Sequence, residues 1–73
     1  MTTTISKAVA ARIFHRAALA GDKAQMHAML TRVPDVAHRC CVCGQLIRRG
    51  VIGPGCVEKA LRAGLTDLVR SQT

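Results

Sequence analysis

All four cysteines of this chain stand between residues 40 and 56. Cys40 and Cys43 have the Cys-x-x-Cys spacing, which bends a backbone so that two thiolates face one point. Gly44 follows, where such a turn needs a residue at ease with positive φ. Cys56 returns after a short loop, in Gly53-Pro54-Gly55-Cys56, and offers a third sulfur. The chain has 73 residues and a single aromatic side chain, Phe14. A core built from Ala, Val, Leu and Ile at this length is thin, so a bound metal would supply much of what holds the fold together.

A structural Zn²⁺ takes four ligands, usually Cys and His, in a tetrahedron. Cys40, Cys43 and Cys56 are the candidates for three of them. Cys56 is expected at a helix N-terminus, a position that favours thiolate. His38, two residues before Cys40, is the expected fourth ligand. Cys41, His27, His15 and water are the alternatives. Cys41 is disfavoured because adjacent side chains reach one ion poorly, and His27 and His15 read as helix-surface or half-buried imidazoles. The competing view of the thiols is a set of small buried apolar side chains. A redox pair is disfavoured, since no βαβ pattern surrounds the motif and the third thiol argues for a closed site.

Eleven Lys and Arg oppose four acids, a formal charge of +7. Such a balance implies a polyanionic or acidic partner, either nucleic acid or an acidic protein surface; a generally basic protein is the plain alternative. No apolar run is long enough to span a bilayer. Met1-Thr2-Thr3-Thr4 lacks the basic start and apolar stretch of a secretory signal, so the expected compartment is cytoplasmic, where thiols stay reduced and metal is favoured over disulfides.

The length predicts one domain over 1–73, with helices over about 5–32, a metal knuckle, hairpin and C-terminal helix over 36–69, and flexible termini. Thr4 or Ser6 can cap a first helix, whose stripe of Ile5, Val9, Ile13 and Ala17 recurs every fourth residue. Gly21 stops it and Asp22 caps a second, Lys23 to Arg32, with Met26, Met29 and Leu30 apolar; Val33-Pro34-Asp35 ends that helix. Leu46-Ile47 and Val51-Ile52 predict two very short strands joined by Arg48-Arg49-Gly50. Pro54 is expected near the first position of a third helix. Val57, Ala60, Leu61, Gly64, Leu65 and Leu68 follow at helical spacing, and Glu58 pairs with Arg62 at a gain of about 0.2–0.5 kcal/mol. Gly64 is expected to break the helix, with Thr66 capping a last turn and residues 70–73 mobile. The fold class is thus a small, mainly α domain with a zinc knuckle and short β-hairpin, an N-terminal helical hairpin, a treble-clef-like metal site and a C-terminal helix.

No catalytic constellation stands out. Catalytic zinc needs an open position and a nearby base, and the only acid close to the cysteines, Glu58, is explained by Arg62. The glycines at 50, 53 and 55 suit turns, not a phosphate loop. Phosphate contact through Arg39, Arg48, Arg49 and Lys59 fits the charge. Single-strand readers, however, stack bases on aromatic side chains, and Phe14 is needed in the core. Arg48-Arg49 at a loop tip is the site where function weighs most evenly against a plain solvated surface.

The run Cys40-x-x-Cys43-Gly44, Arg49-Gly50, Gly53-Pro54-Gly55-Cys56 resembles a small zinc-binding motif common in phage and bacterial proteins of unknown role. It covers the C-terminal half. In length, basicity and Ala-rich start, the whole chain also resembles the small RNA-polymerase-binding transcription regulators of lytic Xanthomonas phage. That resemblance implies inhibition of initiation at host promoters, with displacement of the sigma factor, and antitermination during elongation; a monomer in the bacterial host cytoplasm is the accompanying expectation. The implied partner surfaces are the N-terminal part of β′ and the β flap, near the RNA exit channel, and the resemblance assigns no contact residue. The alternatives are a DNA-binding zinc module and a metal-stapled inhibitor of another host enzyme.

Overall fold

The computed structural model describes residues 5–72. The frayed start expected over Thr2 to Thr4, and the mobile end at Thr73, lie outside the described residues. Helix α1 runs Lys7–Ala20, α2 Lys23–Arg32, α3 Val57–Arg62 and α4 Thr66–Ser71, with a 3-10 turn at Val36–His38 between α2 and the cysteine segment. Among the described residues, no helix is long and apolar enough to cross a membrane.

Ser6 caps α1, accepting from Val9 N–H at 3.1 Å. Gly21 ends it at φ 73, and Asp22 N–H donates to Ala17 C=O at 2.8 Å. This is the left-handed close that glycine allows at low cost. Asp22 then caps α2 by accepting from Gln25 N–H at 3.1 Å. The tight connection leaves α2 packed against α1.

The buried face of α1 is Ala10, Ala11, Phe14 and Ala17, with Ile5 and Ile13 only partly covered. The expected stripe through Val9 is displaced, and Val9 is exposed. Ala10 and Ala11 are fully buried in one core cluster with Val36, Cys40 and Cys41, which are also fully buried. Met29 is buried on α2 and Met26 partly so, while Leu30 faces outward. Ala60, Leu65 and Leu68 close the core from the C-terminal side.

The segments expected as a hairpin do not pair with each other as strands. The one bridge among the described residues is antiparallel, between Arg39 and Leu46. The reason lies in where the backbone groups go. Ile47 N–H donates to His38 C=O at 2.7 Å, Cys41 N–H donates to Val51 C=O at 3.0 Å, and the N–H groups of Val51 and Ile52 both reach Gln72 Oε1 at 2.9 Å. At the C-terminal end α4 continues through Ser71, and Gln72 is tied to the loop. The third helix begins later than expected, at Val57. Pro54, Gly55 and Cys56 form a turn before it, closed by Cys56 N–H on Gly53 C=O at 2.9 Å. The chain breaks at Gly64 as expected. Thr66 is the first residue of α4, and no side chain caps that helix.

Candidate metal centre

The sulfurs of Cys40, Cys43 and Cys56 lie within 4.8 Å of one another, a group that could hold a metal ion. The knuckle brings the first two together. Cys40 N–H bonds to Gln45 C=O at 2.9 Å and Gly44 N–H returns to Cys40 C=O at 2.9 Å. Gly44 sits at φ 77, and a Cβ there would meet the backbone nitrogen of Ala8 at 2.9 Å. Glycine is needed for both the turn and the close seat against the first turn of α1. Cys56 arrives at the N-cap of α3. It is half-buried, Cys43 is exposed and Cys40 is buried, so the group opens outward from an anchored inner sulfur.

The electrostatics favour charge on that inner sulfur. Burial alone would push Cys40 upward. Backbone N–H groups of Gly53, Cys43 and Val42 outweigh it, together with the Cys43 thiol, and bring the thiol down to about 7. Two of these contacts are Gly53 N–H at 3.3 Å and Val42 N–H at 3.4 Å. Hydrogen bonds to the charged form favour it. Cys56 is pushed up to about 11, by desolvation first and then by the neighbouring Cys43 and Cys40 sulfurs. Three thiols this close resist losing all their protons unless a cation replaces them, which is the electrostatic pattern of a metal-binding cluster.

Cys41 points elsewhere. It is fully buried in the hydrophobic core. Its thiol is raised by burial and then by the charge of Cys40, with Arg12 and Arg16 of α1 opposing. His38 stands exposed at the end of the 3-10 turn and is outside the three-sulfur group. His27 is exposed on α2. His15 is half-buried, edge-on to Phe14 at 5.4 Å. Its pKa is lowered by burial, against a hydrogen bond to the Arg39 backbone.

The basic candidates divide. Arg48 and Arg49 are exposed on the loop and Lys59 is exposed on α3. Arg39 is turned inward: Nε and Nη2 bind Asp35 Oδ1 and Oδ2 at 2.6 and 2.8 Å, and Nη1 donates to Gly44 C=O at 2.6 Å. This fork fastens the 3-10 turn to the knuckle glycine, and it holds the Asp35 carboxyl below its ordinary value. The i,i+4 spacing of Asp35 and Arg39 was the available signal for it, the same spacing that marked Glu58 and Arg62, which pair at 2.7 Å. Gln72 gave no such signal.

No protein-family model matches the chain, and neither a curated protein nor a solved structure is significantly similar to it.

Proposed function

We propose that this chain is a zinc-stapled, basic binding module that acts by occupying a partner and performs no chemistry of its own. The observation that carries the reading is the meeting of Cys40, Cys43 and Cys56 at one point. Thiolate-rich tetrahedral sites select zinc among the common divalent ions. His38 is the proposed fourth ligand. The order knuckle, loop, then Cys56 at a helix start supports a treble-clef-like site.

The proposed partner is bacterial RNA polymerase, engaged at the N-terminal region of β′ and the β flap. The effects would be inhibition of initiation with sigma displacement, and antitermination near the RNA exit channel. Support comes from the net charge of +7 and from the resemblance to small phage transcription regulators. A compact cationic body there would meet acidic protein surface and emerging RNA phosphate together. It would shift polymerase between conformations only through differential affinity for them. Arg48, Arg49 and Lys59 are the exposed cations proposed to face the partner.

Affinity capture from nuclease-treated host lysate, followed by transcription on a terminator template, tests this reading. Retention of polymerase subunits at moderate salt, with increased read-through, is expected. Loss of every partner on nuclease treatment would replace it with the alternative, a zinc module bound to DNA.

A further inference from the structure

Beside the metal centre lies an open groove of about 900 Å³. Ile47, Ile52 and Val57 contribute to its walls, and Leu46, also in its lining, is the most exposed large hydrophobic among the described residues, at 61%. Arg48 and Arg49 also line it, and none of its lining residues is acidic. The backbone beneath is fixed from two sides. Gln72 holds Val51 and Ile52, and Gly53 N–H is tied to the Cys40 sulfur. The backbone of the groove wall at Ile52 is therefore held in place, which lowers the ordering cost of binding there.

We propose that this groove receives a peptide segment carrying alternating apolar and acidic side chains, its apolar groups against Leu46, Ile47, Ile52 and Val57 and its carboxylates on Arg48 and Arg49. Charge complementarity selects the acid, since a cationic rim without a carboxylate repels a basic peptide. The apolar lining selects protein over nucleic acid, because no aromatic ring lines the groove to stack a base. The inference rests on the reading of the chain as a binding module and names the surface and partner chemistry that reading leaves open.

Amide chemical-shift titration of the full, metal-loaded chain tests it, using a synthetic peptide alternating leucine and glutamate, the same peptide with lysine for glutamate, and oligouridylate. The acidic peptide should shift Leu46, Ile47, Arg48, Arg49, Ile52 and Val57 and leave α2 unchanged. Leu46→Ser, and separately Arg48→Glu with Arg49→Glu, should each weaken it at least about tenfold, the ordinary scale for losing one good contact. Leu19→Ser, at a residue 54% exposed on α1, should leave binding unchanged. Equal binding of the lysine peptide, preferential binding of oligouridylate, or shifts spread over every basic residue would overturn the proposal. Polymerase capture is scored separately. Peptide binding without capture removes the polymerase reading and leaves the groove, whereas capture with no binding of the acidic peptide removes the groove and leaves polymerase.

Discussion

The backbone N–H of Gly53 donates to the sulfur of Cys40 across 3.3 Å, joining the knuckle to the loop that delivers Cys56. A sulfur that accepts backbone hydrogen bonds is stabilised as thiolate, and a metal ligand must be deprotonated. The same contact joins two loops and favours the charged form of the sulfur. It ties the candidate metal centre to the groove, because Gly53 follows directly on Ile52, which lines it.

The division of the four thiols gives the first prediction. Cys56→Ser should abolish stoichiometric zinc binding and unfold the C-terminal half, since the binding free energy of a structural ion is folding free energy. Cys41→Ala should keep one ion per chain and cost roughly 1 kcal/mol, the scale of one buried methylene-sized group. Elemental analysis with thermal melting checks both.

Arg39 supplies the second. Arg39→Lys keeps the charge but loses the planar fork that binds Asp35 and Gly44 together. Its melting temperature should fall well below that of Arg48→Lys, whose side chain is exposed. Equal melting temperatures would deny Arg39 its role in seating the knuckle.

Gln72→Ala should leave two N–H groups without their acceptor, at the buried residues Val51 and Ile52. A cost of about 1–3 kcal/mol is expected for such a loss. Hydrogen exchange at Val51 and Ile52 should accelerate far more than in α2.

The pH prediction concerns His15, whose pKa is lowered from 6.5 mainly by burial. Between the folded value and 6.5 the unfolded chain binds more protons, so stability rises with pH there. The contribution is fully present above about 6.5 and is lost as pH falls through the folded value. At saturating zinc, His15→Leu should flatten the decline in melting temperature below pH 6.5; an unchanged slope would contradict the assignment.

Much of the helical part was legible in the sequence because its punctuation is local. Gly21, Asp22 and Pro34 act on their immediate neighbours, and α2 has the expected bounds. The pairing of Cys40 with Cys43 was legible for the same reason, since Cys-x-x-Cys-Gly encodes its own turn, and Cys56 was legible as the one further thiol beyond a short loop. The hairpin was misread because short apolar runs do not say which partner their backbone groups will find. Here the partner was a glutamine side chain 20 and 21 residues away. The α1 face departs from the stripe of larger apolar side chains because Ala10 and Ala11, too small to stand out in an apolar pattern, are the residues fully buried.

The central claim is that three sulfurs share one zinc ion, and X-ray absorption at the zinc edge of the purified, metal-loaded chain tests it most directly. The account predicts one ion per chain with three sulfur neighbours at about 2.3 Å and a single nitrogen neighbour, from His38, at about 2.0–2.1 Å. A chain that binds no zinc, or an ion with fewer than three sulfur neighbours, would contradict it.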